Sequence, residues 1–160
     1  MDTKQLLTMI TLSQTLNYQK AAEQLLAAGD YQDAAQKFAD VATTLGNAAL
    51  EAGDNQTAIG WLEQLPESEE TQTALNRAVY AYAEQLAADG QKEAAATEFY
   101  SLGTYQDAAD RGNALEYELA VSERAGDVHS ALDRFEALGD YGDAAEQADA
   151  CRYDIAKEAM

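Results

Sequence analysis

The side chains best suited to chemistry are scarce in this chain. Its 160 residues hold one histidine, His129, and one cysteine, Cys151. A nucleophile needs a base beside it, and a zinc centre needs several imidazoles or thiolates. His129 falls in the first turn of a short helical stretch, off its apolar stripe, and reads as a surface residue. Cys151 belongs to Ala144, Ala148, Cys151 and Ile155, an apolar stripe at helical spacing, and reads as a small buried hydrophobe. A single cysteine excludes an internal disulfide. Carboxylates are plentiful, so a pair of them signifies little. Glu67, Glu69 and Glu70 stand at a helix start, where they favour the helix dipole. Asp140-Tyr141-Gly142-Asp143 superficially suggests a calcium loop, but the position that should carry the closing Glu is Cys151. There is no phosphate-binding Gly loop, dinucleotide fingerprint or Gly-x-Ser-x-Gly. A helical-bundle metal enzyme would use Glu-x-x-His, and the one histidine follows Asp127-Val128. The expectation is no enzyme, no catalytic residue, no metal and no cofactor.

Charge narrows the partners. Ten basic against 29 acidic residues give a net charge of −19. Affinity for nucleic acid or an anionic membrane comes from Lys and Arg meeting phosphate, so both are expected to be absent. The first twelve residues have a short apolar stretch interrupted by Thr, unlike a signal peptide. No run approaches the roughly 20 apolar residues of a spanning helix. The chain reads as soluble, and as cytoplasmic if it is complete.

The elements that must position any site are set by internal repeats. Tyr31-Gln32-Asp33-Ala34-Ala35 recurs unchanged at Tyr105 to Ala109, and nearly so at Tyr141 to Ala145. Each copy follows a turn, at Gly29, Gly103 and Gly139, with Pro66 at the missing midpoint. A second series of turns, Gly53, Gly90 and Gly126, has the same 36–37-residue period. Between the turns, apolar residues keep helical spacing. Short segments at Tyr18–Ala28, Asn55–Leu65, Lys92–Leu102 and Val128–Leu138 superpose Ala21, Ala58, Ala95 and Ala131. Four residues on come Leu25, Leu62, Phe99 and Phe135. Long segments occupy Tyr31–Ala52, Ser68–Asp89, Tyr105–Ala125 and Tyr141–Met160. Asp30, Thr104 and Asp140 are expected to cap the long helices, and Asn17, Asp54 and Asp127 the short ones. Residues 31–52 fit either one helix or two broken near Gly46; one helix is preferred, because no other turn signal accompanies the glycine.

The reading is therefore all-α, with long and short antiparallel helices alternating. Residues 1–16 form a truncated long helix, for nine helices in one domain over 1–160. The next Gly-Asp turn would fall just past Met160, so the chain is expected to be a segment of a longer protein.

The stretch Leu45 to Leu65 resembles a tetratricopeptide repeat. It supplies Leu45-Gly46, the Gly53-Asp54 turn, then Ala58, Leu62 and Leu65 at the family's positions. The half-pattern recurs at Gly90, Ala95, Phe99 and Leu102, and at Gly126, Ala131, Phe135 and Leu138. Ala83 and Leu119 replace the Gly in later repeats, and the period exceeds the family's usual 34 residues, which makes these divergent repeats. The Leu-Gly-Asp-Tyr-x-Asp-Ala-Ala connection is similar to repeats of Gram-positive bacterial proteins. The resemblance implies an α-α superhelix, or solenoid, and a role as a scaffold binding a protein or peptide on its concave face. Gly46 would let the next helix approach closely. The family's groove positions carry over to Asp40, Thr43, Asn47 and Leu50, then Arg77, Tyr80 and Glu84. Asn113, Glu116, Glu123, Asp149 and Arg152 complete the set. The subclass that holds a terminal carboxylate through Lys and Asn is not matched, because Glu84 stands one repeat after Asn47. Acids outnumber bases at these positions, so the implied partner is a basic or neutral peptide. The alternative is a structural spacer or assembly segment with no groove ligand, its charge serving solubility.

Overall fold

The computed structural model describes residues 3–160, with side chains from residue 13 onward. Eight helices run along it. They are α1 (Thr3–Ala28), α2 (Ala34–Ala52), α3 (Asn55–Leu62), α4 (Glu69–Ala88), α5 (Lys92–Ser101), α6 (Ala108–Glu123), α7 (Val128–Leu138) and α8 (Ala144–Glu158). No strand occurs among the described residues. The chain is all-α, as expected. It divides into two compact units, Met1–Ala78 and Val79–Met160, and the division lies inside α4. In the first unit α1 packs on α2 and α2 on α3; in the second, α5 packs on α6, α6 on α7 and α7 on α8.

The N-terminal reading needs correction. Residues 1–16 and 18–28 are not two helices parted by a cap at Asn17; over the described stretch they are one, so eight helices replace the expected nine. An interior Asn costs at most about 0.7 kcal/mol relative to Ala, too little to break a helix. The first breaker after Thr3 is Gly29, at φ +57°. Residues 34–52 form one helix through Gly46.

The starts of the long helices are also displaced. Asp30, Thr104 and Asp140 are not the caps; Asp33, Asp107 and Asp143 hold that position, and none makes a side-chain capping bond. A tight turn precedes each helix instead. Ala34 N donates to Tyr31 O at 3.1 Å, and Ala108 and Ala144 repeat this with Tyr105 and Tyr141 at 3.1 and 3.0 Å. The turn puts Gln32 and Gln106 at φ +48° and Gly142 at +56°, a left-handed region in which glycine is the unstrained choice. Caps at α3 and α7 follow expectation: Asp54 Oδ1 accepts from Thr57 N at 3.2 Å and Asp127 Oδ1 from Ser130 N at 3.0 Å.

The apolar stripe sits where helices meet. Ala58, Ala95 and Ala131 are fully buried, as are Phe99 and Phe135. In α1 the stripe is offset by one residue, since Ala22 is buried and Ala21 only partly so. Cys151 is buried with Ala144 and Ala148. Gly46 permits a close approach: a Cβ there would stand 3.1 Å from Leu62 Cγ on α3.

Candidate functional site

In the second unit, the sequence-predicted residues meet partners within the chain. Tyr80 on α4 donates its hydroxyl to Asp107 Oδ1 at 2.6 Å. Its ring stands edge-on to Phe99 and Tyr105, at centroid distances of 5.3 and 6.0 Å. One repeat later Tyr117 on α6 donates to Asp143 Oδ1 at 2.5 Å, with Phe135 at 5.5 Å and Tyr141 at 6.3 Å. Each joint ties a long helix to the short helix after it and to the start of the next long one. The bond to Asp107 holds the Tyr80 hydroxyl above its ordinary pKa, with burial adding to this. The bond from Tyr117 likewise holds the Asp143 carboxyl below its own. Two copies of one five-residue motif thus use their aspartates as acceptors for a tyrosine 26–27 residues earlier.

Beside the first joint, Arg111 lies 5.2 Å above the Phe99 ring and 3.2 Å from Glu84 Oε1. At the repeat-equivalent place on α6 stands Val121, 53 % exposed. Arg124 instead reaches Asp154 at 2.8 Å and Gln147 at 2.9 Å.

Arg134 on α7 is the most enclosed cation among the described residues, its side chain only 19 % exposed. It holds Glu116 at 2.6 Å and Glu123 at 2.9 Å, both on α6, and Glu93 on α5 at 3.1 Å. The bond to Arg134 keeps the Glu123 carboxyl below its ordinary value, against the opposing effect of burial. Next to this cage, Tyr100 donates to Asn113 Oδ1 at 2.9 Å. Tyr100, Asn113, Glu116, Arg134, Ala137 and Leu138 line a cleft of about 310 Å³. A Cβ on Gly112 would come within 2.7 Å of the Tyr100 ring, so glycine is what lets that ring lie on α6. On α8, Arg152 bridges Asp149 at 2.5 Å and Glu136 at 2.7 Å.

In the first unit, Asp40, Thr43 and Asn47 are exposed on α2. Gln36 donates to Asp40 at 3.1 Å, and the Thr43 hydroxyl to Ala39 O at 2.8 Å. Leu50 is half-buried against the Ala58–Leu62–Ala78 cluster. Arg77 is exposed on α4, with no ion pair among the described residues. The twelve predicted positions therefore fall into separate places. Tyr80 and Glu84 face the start of α6; Asn113, Glu116 and Glu123 face α5 and α7; Asp149 and Arg152 face α7.

Sequence reasoning missed Arg111, Arg124 and Arg134, Tyr100 over Gly112, and the tyrosine–aspartate joint. The joint was readable, because both of its series carry the repeat period. These three arginines carry no period and gave no signal. Among the described residues, no cluster of His, Cys, Asp or Glu could hold a metal ion, and no helix is long and apolar enough to cross a membrane. No protein-family model, curated protein or solved structure matches this chain.

Proposed function

We propose that the chain is a tetratricopeptide-like interaction module. Its helices stack in solenoid fashion within each unit, and the exposed long-helix faces hold a protein or peptide. One observation carries the reading: the joint Tyr80–Phe99–Tyr105–Asp107 is rebuilt as Tyr117–Phe135–Tyr141–Asp143, while the residues beside it change. Glu84 is replaced by Val121, and Arg111 by Gln147. A fixed frame with changing exposed residues is how a repeat protein presents a recognition surface.

The charge chemistry differs from a simple acidic groove. Glu84, Glu116, Glu123 and Asp149 are each within 3.2 Å of an arginine. Their charge is largely met inside the chain, so it steers a basic peptide little. Val121, exposed in the second unit, offers an apolar anchor, which favours a neutral peptide with one apolar side chain. The same pairing supports the second reading, a spacer or assembly segment without a groove ligand.

Selection from a peptide display library, followed by titration of the enriched peptides into isotopically labelled chain, tests this. The expected result is saturable shifts concentrated at Glu84 and Val121, lost in Val121→Glu. No enrichment above background, or shifts confined to other faces, would leave the spacer reading. Charge reversal at Glu116 is a poor probe, because it strips Arg134 of a partner and disturbs the fold itself.

A further inference from the structure

We propose that a pocket beside the turn between α1 and α2 takes one large apolar side chain of a partner peptide, with lysine or arginine next to it in that peptide. All of its residues belong to the first unit, so the site is separate from the Val121 face and goes beyond the interaction-module reading.

The repeat frame makes a hollow at this place more than once. Gly29, Gly103 and Gly139 stand in equivalent turns at φ +57°, +58° and +57°. Three residues before them come Leu26, Tyr100 and Glu136, and ten residues after them Ala39, Asn113 and Asp149. Each pair borders a hollow, of about 290, 310 and 260 Å³ in turn. In the second unit polar side chains span it. Tyr100 donates to Asn113, and Arg152 bridges Glu136 and Asp149. Leu26 and Ala39 have no polar side-chain atom and span nothing.

The first-unit pocket is thereby left with bare apolar walls: Leu26, Phe38, Ala39 and Pro66. Leu26 is 63 % exposed, and Pro66 brings no amide hydrogen to the wall. The volume stands at the lower end for ligand pockets, near 300 Å³, which suits one side chain better than a cofactor. The pocket is also remote from residues 1–12. Twelve residues of unbroken helix, about 18 Å at roughly 1.5 Å each, separate Leu25 in its wall from Ser13.

Charge selects the neighbour of that side chain. Asp30 is the only charged residue in the lining. It is exposed, and its carboxylate has no partner among the described residues. Glu67, next to Pro66, is likewise exposed and unpaired. Gln64 donates to Gly60 O at 2.8 Å, while its own carbonyl oxygen has no partner among the described residues. Lys37, four residues from Asp33, is held by it at 3.2 Å. This is the reverse of Glu84, Glu116 and Asp149, whose charges arginines already meet. An apolar pocket edged by unmatched carboxylates fits an apolar side chain flanked by basic ones and repels one flanked by acids.

Titration of three blocked pentapeptides into the whole isotopically labelled chain tests the proposal: Gly-Lys-Phe-Lys-Gly, Gly-Lys-Ser-Lys-Gly and Gly-Glu-Phe-Glu-Gly. The first is expected to give saturable shifts at Leu26, Phe38, Ala39 and Gln64, with affinity falling as salt rises. The serine peptide binds about tenfold more weakly or worse, having no apolar side chain to bury. The glutamate peptide is also weaker. Asp30→Lys lowers affinity for the first peptide about twofold to fivefold and flattens its salt dependence. Leu26→Ser weakens it, and Ala39→Phe, which fills the pocket, abolishes it. Leu26 and Asp30 are exposed, so their variants leave the core intact, and unchanged helical circular dichroism verifies this. No saturable shifts at these residues, equal affinity for the serine peptide, tighter binding of the glutamate peptide, or binding undiminished by Leu26→Ser overturns the proposal. Val121→Glu leaves this binding unchanged. Shifts here with none at Val121 therefore uphold the pocket while the long-helix reading fails, and the converse result overturns the pocket alone.

Discussion

Tyr117 and Asp143 are joined across 26 residues by a 2.5 Å hydrogen bond, and Tyr80 and Asp107 make the same bond across 27. An aspartate at a helix start normally caps its own backbone. Here the tight turn at Tyr141 already satisfies the first amide of α8, which frees Asp143 to reach α6. A local turn is thereby converted into a contact between repeats.

The short helices should tolerate no bulk where they cross their neighbours. Ala131→Leu and Ala95→Leu, at fully buried sites, are expected to destabilise by about 1–3 kcal/mol through overpacking. In α1 the offset stripe reverses the naive expectation: Ala22→Leu should be costly and Ala21→Leu within about 0.5 kcal/mol of wild type. Urea midpoints of the four variants check this. Equal effects at Ala21 and Ala22 would contradict the register.

The offset shows how far periodicity carries. Ala58, Ala95 and Ala131 could be placed from sequence because one turn fixes the phase of each short helix. In α1 no turn separates residues 3–17 from 18–28, so the phase is set by packing on α2, which a local pattern does not contain. Gly46 was legible only through the tetratricopeptide resemblance, since Ala83 and Leu119 stand at its place in the later repeats. Gly112 was not, because its partner Tyr100 lies in a different helix and has no aromatic counterpart at Glu63 or Glu136. The candidate site was legible only as positions on a helical wheel. Which acids stay free depends on where four arginines reach, and their long side chains cross from helix to helix.

Gly112→Ala separates two opposed effects. Alanine gains about 0.8–1 kcal/mol of helix propensity. Displacing Tyr100 sacrifices its bond to Asn113, a loss of about 0.5–1.5 kcal/mol. The substitution should therefore be nearly neutral in wild type and stabilising by about 1 kcal/mol in a Tyr100→Ala background. Thermal denaturation of the four proteins reads this. Equal effects in both backgrounds would mean that Tyr100 does not rest on Gly112.

The cage around Arg134 should be a source of stability that depends on pH. Arg134→Met is expected to cost about 1–2 kcal/mol near neutrality, less than a fully buried pair because Glu93 is exposed. Glu123 has a folded pKa below its ordinary 4.5, so its contribution is present above that value and is lost as pH falls through the folded pKa. The stability difference between wild type and Glu123→Gln should accordingly shrink below pH 4.5. A difference that stays constant from pH 7 to pH 3 would contradict the pairing.

The measurement closest to the centre of this account is a double-mutant cycle on the joint. Tyr117→Phe, Asp143→Asn and the pair together are denatured in urea, and the same is done for Tyr80→Phe with Asp107→Asn. Asp143 also accepts from Gln147 at 3.0 Å, but the bond between hydroxyl and carboxylate is lost in either single variant, so each double variant should be less destabilised than the sum of its single variants, with coupling of the same sign at both joints. Strictly additive effects at both would show that the repeats are not held by the tyrosine–aspartate joint.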